Sequence, residues 1–277
     1  MTSFGERLRA ALDERGPLCA GIDPHASLLV QWGLEDTVGG LETFALTAAE
    51  AFGPVAAAIK PQSAFFERFG SRGIAVLERT IAICREAGAQ VILDVKRGDI
   101  GSTGQGYADA YLDQTAPLAV DAITASPYLG FGSLTPMIET ARRNDAGVFV
   151  LALTSNPEAA GLQRSRMATG ETVAGSILAE LRELNRGSAM GSFGAVVGAT
   201  IEKPDTSLAI AGPLLVPGIG AQGGTADDVR RIFDGALDLV VPSSSRELLS
   251  AGPSPLALAD AVRRTAGEFR QLVASSG

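Results

Sequence analysis

Short apolar runs alternate with longer helix-compatible stretches along all 277 residues of this chain, and that alternation leaves few folds open to it. The runs are Leu18–Ile22, Val55–Ile59, Gln90–Val95, Ala119–Thr124, Val148–Leu153, Gly194–Gly198, Leu214–Pro217 and Leu237–Val241. They are rich in Val, Ile and Leu with little polar alternation, as expected of parallel strands covered on both faces. Between them lie helical patterns at Leu41–Phe52, Gly73–Ala87 and Thr172–Leu184, with Gly88 a stop signal and Thr225 an N-cap before Asp227–Phe233. Strand-then-helix units repeated in this way predict an α/β chain folded as a (β/α)8 TIM barrel, one domain over residues 1–277. A doubly wound open sheet is the alternative. No Gly-x-Gly-x-x-Gly follows the first run to support it. The polar stretches Ser155–Gly170 and Glu202–Gly212 read as insertions on the barrel rim.

Composition excludes several functions. The formal charge of -8 argues against a nucleic-acid polymer or an anionic membrane as partner. A small phosphate ester stays compatible, because a local cluster of amides and one Arg outweighs the global field. The N-terminal 16 residues read as an amphipathic helix too charged for a signal peptide, and no charge-free run approaches membrane-spanning length, so the expectation is a soluble cytoplasmic protein. Cys19 and Cys84 provide no disulfide framework and read as reduced core residues. A single histidine, His25, rules out a multi-histidine metal site. Following Asp23-Pro24, it reads as a loop or surface residue. Phe65, Phe66 and Phe69 are spaced for a helix and read as core.

In a barrel of this kind, chemistry belongs at the C-terminal strand ends. Asp23 follows the first run, Lys60 the second, Ser126 the fourth and Gln222 the seventh, while Ser245 and Arg246 follow the eighth. Asp94 and Lys96 end the third, two residues apart and so on one face. Their charges there are either an ion pair closing the barrel top or part of a site. Arg246, the glycines near Gln222, and Lys60 before Pro61 each have an equally plain structural reading.

The segment Asp94-Val-Lys96-Arg-Gly-Asp99-Ile resembles the signature of orotidine 5′-phosphate decarboxylases. The resemblance extends through Gly21-Ile-Asp-Pro-His25, Ile59-Lys60-Pro-Gln-Ser-Ala-Phe-Phe-Glu-Arg-Phe-Gly70, Thr154-Ser-Asn-Pro157, Val216-Pro-Gly-Ile-Gly-Ala-Gln-Gly-Gly224 and Ser244-Ser-Arg246, and points to the mycobacterial-type branch. It implies decarboxylation of orotidine 5′-phosphate to uridine 5′-phosphate without a cofactor or metal. It also implies a charged array of Lys60, Asp94, Lys96 and Asp99, with Asp99 and Thr103 acting across a homodimer interface. Asp23 would hold ribose hydroxyls and Ser126 the pyrimidine edge. Gln222 and Arg246 would hold the phosphate, with Pro217 and Ser245 completing the substrate-binding set.

The chain departs from the family pattern at Ser126, where Asn is common, at Leu153, where Arg is common, and in the glycine-rich Gly104-Gln-Gly106. One rival is the keto-gulonate phosphate decarboxylase branch, which shares Asp-x-Lys-x-x-Asp and uses magnesium. The Lys60 segment and the Ser244-Ser-Arg246 ending favour the pyrimidine branch. The other rival is a barrel that binds a phosphorylated metabolite without chemistry, against which the intact charged positions argue.

Overall fold

A computed structural model describes residues 2–219 and 223–274. The strands are β1 (Cys19–Ile22), β2 (Ala58–Pro61), β3 (Gln90–Arg97), β4 (Ala122–Ala125), β5 (Gly147–Leu153), β6 (Phe193–Val197), β7 (Leu214–Pro217) and β8 (Val240–Ser244). Each pairs in parallel with the next, and β8 pairs back to β1, so the sheet closes into the expected (β/α)8 barrel. Closure leaves no strand edge open. The described helices are α1 (Phe4–Arg15), α2 (Ala26–Gln31), α3 (Val38–Phe52), α4 (Ala64–Glu67), α5 (Gly70–Glu86), α6 (Gly101–Leu112), α7 (Thr135–Arg143), α8 (Ala160–Gln163), α9 (Val173–Leu184), α10 (Ala226–Ile232), α11 (Arg246–Leu249) and α12 (Pro255–Ala274).

The outer helices form because their apolar residues recur on one face. In α5, Gly73, Val76, Leu77, Thr80, Ile81 and Cys84 are buried at helical spacing. Each large aliphatic side chain so buried stabilises the fold by about 1.5–3 kcal/mol. Polar residues set the ends. Thr172 caps α9, and Thr225 with Asp228 forms a capping box at α10. Gly88, at φ 81°, takes up the left-handed backbone that follows α5.

Helix α1 closes the N-terminal end of the barrel. A capping box of Ser3 and Glu6 starts it. Phe4, Leu8 and Leu12 are buried, and the Phe4 ring meets Phe149 edge-on at 6.0 Å. Arg7 donates to Gln90 at the start of β3 and forms an ion pair with Asp121, ahead of β4, at 3.0 Å. With this end sealed, the C-terminal rim is left for a site. There the two insertions are tied together by Arg164–Glu202 and Arg166–Asp205 ion pairs of 2.6 and 3.0 Å.

Three strands begin three residues later than expected: β2, β8 and also β4, which starts at Ala122 rather than Ala119 because the Ala119 amide turns back to the Ala116 carbonyl. Strand β2 begins at Ala58 rather than Val55, because Val55 and Ala56 turn back to bond the Phe52 carbonyl. Lys60 is therefore inside the strand, not beyond it. Strand β8 begins at Val240, since Leu237–Leu239 form a 3-10 turn. Of the three phenylalanines, Phe66 is fully buried, while Phe65 and Phe69 pack only partly against the core. Both cysteines are buried thiols, and burial pushes each up to about 12. Among the described residues, no helix is long and apolar enough to cross a membrane.

Candidate active site

A cavity of about 370 Å³ opens at the C-terminal rim. Asp23, Lys60, Asp94, Lys96, Pro217, Ser245 and Arg246, all singled out in the sequence, line it. His25, Gln62, Thr124, Leu151, Thr154, Val196, Leu215, Gly218, Ile219, Ser243 and Ser244 complete the wall.

Its centre is a run of alternating charge. Asp94 is buried and shares its carboxylate between two ammonium groups. Lys60 Nζ donates to Oδ2 at 3.1 Å, and Lys96 Nζ to Oδ1 at 2.6 Å. The Thr124 hydroxyl adds a third hydrogen bond, to Oδ1, at 2.8 Å. Asp23 extends the run, with Oδ1 3.9 Å from Lys60 Nζ. Burial by itself would raise the Asp94 pKa, but Lys60 and Lys96 outweigh it and hold the carboxyl well below the usual range. Burial likewise disfavours the Lys60 charge, yet Asp94 and then Asp23 outweigh it and raise that ammonium above its ordinary value. Both groups stay charged at neutral pH.

The backbone of β3 is bent to present Lys96. The register with β4 shifts between Leu93 and Arg97, and Lys96 itself sits at φ 45°. A residue with a Cβ enters that left-handed region at a cost, and such outliers cluster at functional sites. The Lys96 amide donates to Thr124 Oγ1 at 2.9 Å, so one threonine fixes both the lysine backbone and the carboxylate its side chain meets. Both lysines line the cavity, but the Lys96 side chain keeps 45% of its surface exposed against 8% for Lys60.

On the β7–β8 side, the cavity is polar and carries unmet hydrogen-bonding capacity. The Ser244 and Ser245 hydroxyls are buried without a partner, and so is Asp23 Oδ1 apart from its ion pair. Orphaned groups of this kind are uncommon and call for an explanation. Gly218, at φ 97°, makes the turn after β7, and its carbonyl accepts from the Gly224 amide at 3.1 Å. Gln222 lies outside the described residues.

Asp99, Thr103 and Ser126 do not line the cavity. Asp99 Oδ1 accepts from the Ile100 amide at 2.8 Å, and Thr103 is exposed on α6. The Ser126 amide donates to the Arg97 carbonyl at 2.8 Å. At the end of β4 the wall residue is Thr124, which precedes Ser126 by two. Nothing in its spacing marks it as a site residue, although it ends the fourth apolar run. The wall residue Thr154 belongs to the Thr154–Pro157 segment that carries the resemblance, and its amide and hydroxyl are both clamped by the Gln163 side chain at 2.8 and 2.9 Å. His25 is a loop residue, as expected, but it sits in the cavity wall rather than on open surface. Among the described residues, no group of three or more His, Cys, Asp or Glu side chains is placed to hold a metal ion.

Residues 16–261 match the model of the orotidine 5′-phosphate decarboxylase / HUMPS family. The chain belongs to that family. An orotidine 5′-phosphate decarboxylase of Nocardioides sp. is 63% identical over 274 residues, covering 98% of this chain and 100% of that protein. A chain of known crystal structure from Streptomyces avermitilis superposes on this member of the orotidine 5′-phosphate decarboxylase / HUMPS family at a TM-score of 0.97. It is 55% identical over 99% of this chain and 97% of that one. The Leishmania donovani OMP decarboxylase superposes at 0.75 with 30% identity, covering 98% and 99% of the two chains.

Proposed function

We propose that this chain decarboxylates orotidine 5′-phosphate to uridine 5′-phosphate in pyrimidine biosynthesis, with Lys96 as the group that stabilises the reacting carbon and then protonates it. The observation that carries the reading is the Lys60–Asp94–Lys96 array in the cavity wall, with one ammonium largely buried against the carboxylate and the other more exposed to a ligand. The bond from C6 to the carboxylate breaks, carbon dioxide leaves, and the electron pair stays on C6. No adjacent π-system accepts that pair, so the protein must meet it with charge. A preorganised ammonium in a dry site is worth several kcal/mol there. Lys96 then transfers a proton to C6, and solvent restores it. Asp94 aims Lys96 and crowds the departing carboxylate. No cofactor enters the scheme.

The rest of the cavity suits the rest of the nucleotide. We assign the ribose hydroxyls to Asp23 and Lys60, which line the cavity. Arg246, Ser245 and Pro217 suit the phosphate, where barrels of this class commonly bind one, and by resemblance Gln222 is assigned to it as well. The base then falls on the arc between β3 and β6, bounded by Leu151, Val196 and Thr154. Ser126 stands outside that wall, so we assign the ring edge to the arc rather than to Ser126. Grip on the phosphate, remote from the reaction, is binding energy that orders the site and excludes water.

The full 1–277 span acts as one cytoplasmic domain and pairs with a second copy. Asp99 and Thr103, outside the cavity of their own chain, would then complete the partner's site. An ultraviolet assay with orotidine 5′-phosphate tests the activity: loss of the substrate's absorbance in excess chelator is expected. Tight nucleotide binding with no absorbance change would overturn it. The phosphate-free nucleoside should lose turnover as well as affinity, and equal turnover at saturation would remove the role given to the phosphate.

A further inference from the structure

We propose that His25 is a proton-linked ligand of the substrate phosphate, taking up a proton as the dianion settles beside Arg246. The inference rests on reading the cavity as a nucleotide site.

His25 stands at the start of α2, directly behind Asp23 and Pro24, and its ring is part of the cavity wall. Packing fixes the ring. It meets Phe65 of α4 at 4.2 Å between centroids, tilted by 60°. The main chain is fixed as well, since the His25 amide donates to the Asp23 carbonyl at 2.7 Å and its own carbonyl accepts from Leu28 and Leu29. Among the described residues, neither imidazole nitrogen has a hydrogen-bond partner. A ring held on both counts in the cavity wall, with both nitrogens unpartnered, is preorganised for a ligand.

The phosphate end of the cavity is the adjacent wall. Strands β1 and β8 are neighbours, and their ends approach so closely that a Cβ on Gly21 would stand 2.6 Å from Ser245 Cβ. Only glycine fits there, and the loop carrying His25 is thereby drawn against the segment carrying the orphaned Ser245 hydroxyl and Arg246. Three elements face the imidazole. Its own loop contributes Asp23, α11 contributes Arg246, and α4 contributes the uncharged Phe65 ring.

Those neighbours set its charge. Burial lowers the His25 pKa first, Arg246 lowers it further, and Asp23 opposes both without cancelling them. The resting imidazole is therefore neutral at neutral pH. A phosphate dianion at Arg246 would offset that guanidinium and add its own attraction, so the protonated form becomes the favoured one. His25 would then discriminate phosphate-bearing ligands from nucleosides.

Because His25 is the chain's one histidine, its titration is readable directly. Proton NMR of the full-length protein would follow the imidazole C–H signal against pH, alone and with saturating uridine 5′-phosphate or uridine. We expect the midpoint to rise by about one pH unit with the nucleotide and to stay put with uridine. His25→Asn should weaken nucleotide binding several-fold at pH 6 and less at pH 8.5, with little change for uridine. An unmoved midpoint in a sample where calorimetry records nucleotide binding overturns the His25 assignment and leaves the site standing. An equal rise with uridine overturns the phosphate contact. Failure of the nucleotide to bind at all removes the site reading together with this one.

Discussion

Lys60 Nζ stands 3.1 Å from Asp94 Oδ2, with the two side chains only 8% and 7% exposed. A pair so enclosed is held together at the expense of hydration, and its value shows when one partner is removed.

Asp94→Asn leaves the buried Lys60 ammonium with the neutral Gln62 amide oxygen at 3.3 Å and Asp23, at 3.9 Å, as its one charged partner among the described residues. The variant should lose roughly 3–5 kcal/mol of unfolding free energy at neutral pH. The folded pKa of Asp94 is depressed, so its stabilisation is full above the unfolded carboxyl pKa of about 4 and is lost as pH falls through the folded value. Lys60 is shifted up, so its share persists below the unfolded pKa of about 10 and fades only as pH rises through the folded value. Urea unfolding of both proteins should give a constant gap between about pH 5 and 9 that narrows progressively below about pH 4. A gap undiminished in acid would show that Asp94 does not act through its charge.

Lys96→Ala should fold, bind uridine 5′-phosphate and lose decarboxylation by roughly 10⁴-fold or more, combining the loss of a preorganised charge with that of a proton donor. Single-turnover assays separate the two properties. A variant that still turns over near the native rate would take Lys96 out of the chemistry.

Mixing Asp94→Asn and Asp99→Asn protomers tests the shared site. Each homodimer should be nearly inactive. Random reassembly should regain about a quarter of native activity, since half of the dimers would be mixed and each would hold one site with both carboxylates native. No recovery in a demonstrably mixed sample would confine Asp99 to its own chain.

Gln163→Ala should loosen the Thr154 wall. The side chain supplies two hydrogen bonds to that residue, at 2.8 and 2.9 Å, each worth about 1 kcal/mol. If the wall meets the base, KM should rise about tenfold or somewhat more with a smaller change in kcat and a modest loss of thermal stability. A fall in kcat at constant KM would place the Thr154 loop at the reacting carbon instead.

The barrel was legible because buried parallel strands are apolar throughout, and the runs ending at Ile22, Leu153 and Pro217 are also observed strand ends. Periodicity misplaced the starts of β2, β4 and β8 for one reason. An apolar run does not distinguish strand from turn or loop, and at residues 55–57, 119–121 and 237–239 the strand has not yet begun. The charged centre was readable from spacing, since Asp94 and Lys96 share a face of β3. What escaped were uncharged or ambiguous groups whose role comes from neighbours distant in sequence. Thr124 matters only because Asp94 and the Lys96 amide reach it, and Thr154 only because Gln163 clamps it. His25 reads as an ordinary loop residue until Phe65 and Arg246 are brought beside it.

The left-handed backbone at Lys96 sets durability against turnover at one codon. Glycine would adopt φ 45° without a Cβ penalty and would relax the β3 bulge. A population selected only for survival at high temperature would drift toward that glycine, while selection for product would hold the lysine in place.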